Sequence, residues 1–284
     1  TGEVSVNWEK MIKRSRDVAK RLSKGIEFLM KKNEIDYISA RGRLLRSGKI
    51  ETTDADGKIA EILADNIIVA TGARAKWFPG MEPDGKQIIT YKEAMIPKKQ
   101  PKSMVIIGAG AIGVEFAHFY HTFGTEVTLI EALPNILPVE DLDISKELEK
   151  IFKKRKMNIL TNTMVDKIEK LKSKVKVHLE NGEIVEAEQA LIAVGVKGNI
   201  EDLGLEDCRI VVDKGWIKIN EYLQTSLSNV YAIGDVAGPP WLAHKASAEG
   251  IIASEHIAGL NPEPMKYDNI PGCTYCHPEV ASVG

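Results

Sequence analysis

A chain of 284 residues exceeds what one hydrophobic core usually serves, so about two domains are expected. Its 44% hydrophobic and 27% charged residues are ordinary for a globular protein, and a formal net charge of −2 gives no electrostatic reason for nucleic acid or a membrane surface as partner. No window approaches the roughly 18 apolar residues of a membrane span, and the start TGEVSVNWEK has no apolar signal segment. Three cysteines, Cys208, Cys273 and Cys276, are too few for a disulfide scaffold, so a reducing, cytoplasmic setting (or a mitochondrial matrix) is expected.

In chain order, apolar residues at Trp8, Met11, Ile12, Val18, Ala19, Leu22, Ile26 and Leu29 predict a helix over 8–32, with Asn7 as N-cap and Asn33 as stop. Its other face is basic (Lys10, Lys13, Arg14, Arg16, Lys20, Arg21 and Lys24) and reads as a solvated surface or as a dock for an acidic partner. Strands are predicted at 35–40, 50–53, 59–63 and 67–70, with a hairpin turn at Asp54-Ala-Asp-Gly57. Pro79, Pro83, Pro97 and Pro101 mark 73–103 as an interdomain linker, because proline removes a backbone donor and fixes φ.

The most specific stretch is MVIIGAGAIGVEFAHFYHTFGTEVTLIE, residues 104–131. An apolar strand enters Gly108-x-Gly110-x-x-Gly113, a helix follows to about Phe123, and a second strand, 127–130, ends on Glu131. Gly108 permits the tight turn, Gly110 lets the backbone approach a pyrophosphate, and Gly113 lets helix and strand pack closely. The helix N-terminus offers unpaired N–H groups to phosphates. Glu131 would accept from the adenosine ribose and repel a 2′-phosphate, favouring NAD over NADP. A helix at 144–156 and strands at 158–160, 175–179, 184–187 and 190–194 are predicted next, with Asn181-Gly182 as a turn. Strands at 216–220 and 230–233, Gly234-Asp235 and a helix ending near Ala258 before Gly259 close the reading.

Four marks occur in one order: Val69-Ala-Thr-Gly72, GAGAIGVE, Leu191-Ile-Ala-Val-Gly195 and Val230-Tyr-Ala-Ile-Gly-Asp235. Together they resemble the two-dinucleotide-fold flavoprotein disulfide reductases. Leu242-Ala-His-Lys-Ala246 and Ile270-Pro-Gly-Cys-Thr-Tyr-Cys-His-Pro-Glu-Val-Ala-Ser-Val-Gly284 are most similar to their dihydrolipoamide dehydrogenase branch. The resemblance implies an α/β fold with two Rossmann-like domains of the FAD/NAD-linked reductase type and the start of an α+β dimer-interface domain. Its boundaries would be 1–100 (FAD domain, first part), 101–200 (NAD domain), 201–267 (FAD domain, return) and 268–284 (interface). It implies NAD-lining roles for Gly108, Ala109, Gly110, Ala111, Ile112, Gly113, Glu115, Glu131, Met164, Ala193, Val194, Gly195 and Val196, with a core methionine as the other reading of Met164. FAD-lining roles fall on Gly42, Thr71, Gly72, Gly234, Asp235, Leu242, Ala243 and His244. The implied partners are a lipoyl domain of an acyltransferase or a glycine-cleavage carrier protein, and a second copy in a homodimer.

The chain also departs from that pattern. Val196-Lys-Gly198 stands where many members carry Gly-Arg-x-Pro. No first GxGxxG, no cysteine pair spaced Cys-x-x-x-x-Cys and no C-terminal His-Glu pair is present, so the reading is the middle of a longer protein without catalytic residues of its own. Cys273-Thr-Tyr-Cys276-His277 has the spelling of a haem-attachment motif, but Pro278 and the run after it suit a strand with ordinary cysteines. His118 and His121 share a helix face without a third ligand candidate, and no metal site is expected. Two other readings stay open: a different NAD(P)-linked reductase of this build, and a nucleotide-binding module without redox chemistry.

Overall fold

The computed structural model describes residues 5–46 and 48–284, so expectations touching 1–4 and 47 lie outside the described residues. In chain order its elements are α1 (Trp8–Lys32), β1 (Arg41–Leu45), β2 (Lys49–Thr53), β3 (Ile59–Leu63), β4 (Ile67–Val69), β5 (Ala73–Ala75), β6 (Ile88–Ile89), α2 (Tyr91–Ala94) and β7 (Ser103–Ile107). There follow α3 (Ala111–Thr122), β8 (Glu126–Ile130), α4 (Leu142–Lys154), β9 (Asn158–Leu160), β10 (Val165–Lys170), β11 (Val175–Leu179), β12 (Ile184–Ala187) and β13 (Gln189–Ile192). The last group is β14 (Val196–Gly198), β15 (Val212–Asp213), β16 (Trp216–Ile217), β17 (Val230–Ala232), α5 (Ala243–Ile257), β18 (Gly272–Thr274) and β19 (Val280–Ser282).

These elements form two compact units. One comprises Thr1–Asn33, Ala75–Gly195 and Cys273–Ser282, the other Glu34–Arg74, Val196–Gly272 and Val283–Gly284. The partition differs from the expected boundaries at 196–200 and 268–272, which fall in the second unit, and in three further places, each for a packing reason. Trp8 ties α1 to the first unit, its ring centroid 5.8 Å from those of Phe119 and Tyr120 and its Nε1 donating to Pro97 O at 3.2 Å. Residues 75–100 are not a linker, because β6 joins the parallel sheet with Ile88 and Ile89 buried. Cys276 and Val280 of the C-terminal stretch join the core of that unit.

The first unit is built on a five-stranded parallel sheet, order β6-β13-β7-β8-β9. Strand alternation divides its side chains between two faces. Met104, Ile106, Leu129 and Leu191 pack with Tyr120 of α3 and Leu148 and Phe152 of α4. Val105, Ile107, Ile130, Ala190 and Ile192 pack with Ile168, Val175 and Val177 of the antiparallel meander β10-β11-β12. Both faces are covered, which is why these strands read as continuous apolar runs. Each such Ile, Leu or Val contributes roughly 1.5–3 kcal/mol on burial.

α1 forms as its spacing predicts, with the Asn7 side chain accepting from Lys10 N and Asn33 at its C-terminus. None of its residues is buried, and Leu22, Ile26 and Leu29 of the apolar face are exposed.

In the second unit β1-β2-β3 form an antiparallel meander, and β4 pairs in parallel with β17. The expected strand at 35–40 is absent. Ile35, Tyr37 and Ile38 are exposed, and the partner of β2 is instead Arg41–Leu45. The strand expected over 216–220 stops at Ile217, because the Asn220 side chain accepts from Tyr222 N and Gln224 N and turns the chain. Leu44, Ile67, Val69, Val230, Ala232 and Val236 sit in the core of this unit.

Candidate functional site

The carboxyl edge of an open parallel sheet is where α/β folds bind ligands. In the first unit that edge gathers Gly108 after β7, Glu131 after β8, Met164 beyond β9, and Ala193, Val194 and Gly195 after β13.

The three glycines have different physical reasons. Gly108 has φ +98°, and a Cβ there would lie 2.4 Å from Ala193 O. A Cβ on Gly113 would lie 1.9 Å from Gly108 O, so this glycine is required by helix–strand contact. Gly110 has an extended backbone, and a Cβ there would find nothing within 4 Å, so it faces open space. It is also the N-cap of α3 and makes no side-chain cap bond. The N–H groups of Ala111, Ile112 and Gly113 lie in that first turn, where a helix has no internal acceptors to offer. An open approach over Gly110 beside an uncapped N-terminus fits a pyrophosphate.

Glu131 is buried, and its carboxylate is part of the same loop. Oε2 accepts from Ala109 N at 2.7 Å and Oε1 from Leu133 N at 2.9 Å. Glu115 Oε1 accepts from Tyr275 N at 2.8 Å. Met164 is 52% exposed, which removes the core-methionine reading and leaves it at the sheet edge. Val196 begins β14 and groups with the second unit, apart from the other NAD-lining candidates.

The second unit repeats the arrangement with fewer strands. Ala232 pairs with Val69, so Thr71-Gly72 and Gly234-Asp235 leave the same carboxyl edge of β4 and β17. Gly72 (φ +70°) and Gly234 (φ +72°) take backbone angles that L side chains rarely adopt. Thr71 Oγ1 donates to Asn199 O at 2.8 Å, and Asn199 Nδ2 donates to Thr71 O at 2.9 Å. Asp235 lies in a short 3₁₀ turn, Gly234–Ala237. Leu242 is the N-cap of α5 and Ala243 its first residue, again without a side-chain cap bond. His244 Nε2 lies 2.8 Å from Pro271 O, an orienting contact for its ring. Gly42 is exposed on β1, where a Cβ would meet only Ile50 at 3.5 Å.

Sequence reasoning missed the groups beneath this turn. Lys245 and Glu249 of α5 are fully buried and 3.1 Å apart, and Tyr267 OH donates to Glu249 Oε1 at 2.8 Å. The signal was available in the i, i+4 spacing of opposite charges on a helix that is otherwise apolar inward.

The remaining candidates have structural partners. His118 stacks on Phe152, and burial, then Arg155, His277 and His121, lower its pKa. His121 Nε2 lies 2.9 Å from Arg155 O. Cys273 lies in β18, and the Cys276 thiol is buried and donates to Pro278 O at 3.0 Å. Burial pushes that thiol up to about 11.

The chain belongs to the family described as pyridine nucleotide-disulphide oxidoreductase, which matches residues 3–250. Among curated relatives it is 44% identical to a dihydrolipoyl dehydrogenase of Rhizobium etli over 100% of this chain and 63% of that protein. It is 44% identical to that of Zymomonas mobilis, over 97% of this chain and 60% of the relative, and 43% identical to that of Bacillus subtilis, over 100% and 63%. It superposes on the crystal structure of LpdA from Mycobacterium tuberculosis with a TM-score of 0.94 at 29% identity, covering 100% of this chain and 63% of that one. The flavoprotein disulfide reductase RclA from Escherichia coli gives 0.90 at 26% identity, covering 98% and 64%. The chain thus spans less than two thirds of the length of these relatives, and it has their α/β fold.

Proposed function

We propose that this chain is the nucleotide-binding part of an NAD-dependent dihydrolipoyl dehydrogenase, with NAD at the Gly108–Gly113 edge and FAD at the Thr71-Gly72 and Gly234-Asp235 edge. The observation that carries the reading is the open space over Gly110, beside an uncapped helix N-terminus and one strand away from Glu131. Bound there, FAD would pass on the two electrons of a dithiol and NAD would accept them as a hydride.

The residues of the chain bind and orient. The N–H groups of Ala111, Ile112 and Gly113 would hold phosphate oxygens, and Glu131 would take a ribose hydroxyl with lone pairs not used on Ala109 and Leu133. Glu115, whose carboxylate is fixed by Tyr275 N–H, would line the nicotinamide end together with Ala193–Gly195. Met164 would cover the adenine side. In the second unit Asp235 would accept from a ribitol hydroxyl, and the N–H of Ala243 would face the flavin, with Leu242, His244 and Gly42 lining the cofactor. Val196 is kept as a lining position by resemblance alone.

The substrate would be dihydrolipoamide on a lipoyl domain of an acyltransferase or on a glycine-cleavage carrier, and the working form a homodimer. The name of the relatives, dihydrolipoyl dehydrogenase, supports the substrate. Among the described residues no helix is long and apolar enough to cross a membrane, and all three cysteines are free thiols. A cytoplasmic or matrix setting belongs to the same proposal.

The test is NADH formation from dihydrolipoamide with FAD supplied, by this chain and by a longer protein that contains it. The expected result is turnover by the longer protein only. Turnover by this chain that is lost in Cys273→Ser or Cys276→Ser would overturn the assignment of redox chemistry to residues outside it.

A further inference from the structure

Beneath the Gly234–Ala237 turn lies a buried ionic strap whose partners are all accounted for. Lys245 and Glu249 have 1% and 0% side-chain exposure. Lys245 Nζ donates to Gly234 O at 3.0 Å, to Gly238 O at 3.0 Å and to the Glu249 carboxylate at 3.1 Å. An ammonium has three N–H donors, so all are spent. Two of them close across the turn, one at its first carbonyl and one just past its end. Glu249 Oε2 accepts from Gly234 N at 2.7 Å, so both backbone groups of Gly234 are held from below. Tyr267 OH fixes the other carboxylate oxygen at 2.8 Å. Burial, with Glu249 adding to it, pushes the Tyr267 hydroxyl well above the usual phenol range, so it stays a donor.

A buried ion pair is a poor device for stability, since an apolar pair of similar volume often serves as well or better. It is a good device for specifying geometry when each donor and acceptor is used once. Gly234 needs that help because glycine samples many backbone conformations, and only outside contacts hold it at a φ of +72°.

We propose that Lys245 and Glu249, braced by Tyr267, are positioning residues that hold the Gly234–Gly238 turn and so aim Asp235 at the flavin ribitol. The role toward the flavin rests on the reading of Asp235 as an FAD ligand, whereas the hold on the turn stands without it. The variant Lys245→Met/Glu249→Leu leaves no unpaired charge but frees Gly234 N–H, two carbonyls and the Tyr267 hydroxyl, so it should melt several degrees below the parent chain and still fold. Hydrogen exchange at the Gly234 and Gly238 amides, which donate to Glu249 and to Asp235 O, should then quicken by about tenfold or more while β17 stays protected. FAD affinity, read by flavin fluorescence, should fall about as far as in Asp235→Ala. Tyr267→Phe, which removes one bond only, should show the same order of effects at smaller amplitude, and it serves if the double variant does not fold. Unchanged exchange at the turn would overturn the strap. Faster exchange with FAD affinity intact, where Asp235→Ala loses it, would overturn its role toward the flavin. If Asp235→Ala leaves FAD affinity unchanged, the FAD reading of that residue fails, and the exchange result still decides the strap.

Discussion

Glu131 Oε2 accepts a 2.7 Å hydrogen bond from Ala109 N, so the acid that ends β8 is joined to the glycine-rich loop that follows β7. One carboxylate therefore shapes the loop and, on our reading, selects the cofactor.

The two roles separate by substitution. Glu131→Gln keeps one oxygen for Ala109 N but turns its NH2 towards Leu133 N, so it should cost about 1–3 kcal/mol, and with the charge gone the preference for NAD over NADP narrows roughly tenfold. Glu131→Ala leaves both the Ala109 and the Leu133 N–H unpaired and should cost about 1–3 kcal/mol for each. Chemical denaturation and paired NADH and NADPH titrations check both. Equal NADH and NADPH affinities in the unsubstituted chain would contradict the assignment.

The cysteines should differ in reactivity. Cys276 is buried with its thiol pushed up to about 11, whereas Cys273 is only partly buried. At a pH of about 8, near the ordinary thiol range, a thiol reagent should label Cys273 well before Cys276, as read by peptide mass. The folded state keeps the Cys276 proton above the ordinary thiol value of 9.0, so its contribution to stability is complete below that value and is lost as pH rises towards about 11. Cys276→Ser should flatten that alkaline decline in melting temperature.

The basic face of α1 should contribute little. Lys13 pairs with Asp17 at 2.5 Å, but both side chains are more than half exposed. Neutralising Lys13, Arg16, Lys20 and Lys24 together should shift stability by no more than about 0–1 kcal/mol per exposed charge. A fall of many degrees in the thermal transition would show a packed face.

Much of the first unit was legible because its elements obey one local rule each. The strand–glycine–helix–strand run set β7, α3 and β8, and the Asn181-Gly182 turn set β11 and β12. What stayed hidden depends on distant partners. Ile88 and Ile89 form a strand of two residues with no period to read, and only pairing with Ala190 and Leu191 makes them part of the sheet. Ile35 to Ile38 have a strand-like composition, but among the described residues no strand pairs with them, and Ile35, Tyr37 and Ile38 are exposed. The site glycines could be named from spacing. Spacing also gives Gly113 to close helix–strand packing and Gly110 to an open approach, and only the sizes of the two spaces, 1.9 Å to Gly108 O and nothing within 4 Å, come from the fold. The burial of Lys245 and Glu249 follows from Gly234 and Gly238 lying against α5, a contact that no local pattern shows.

The glycines supply the most direct measurement. Gly108→Ala and Gly113→Ala should damage the fold itself, since each new Cβ meets a backbone oxygen, at 2.4 and 1.9 Å. Gly110→Ala meets nothing, so its melting temperature should stay within about a degree or two of the parent, as for a substitution without a clash. Calorimetric titration with NADH should show binding to the parent chain and at least about tenfold weaker binding to Gly110→Ala, because the added methyl occupies the space a pyrophosphate needs. No NADH binding by the folded parent, or equal binding by an equally stable Gly110→Ala, would contradict the account.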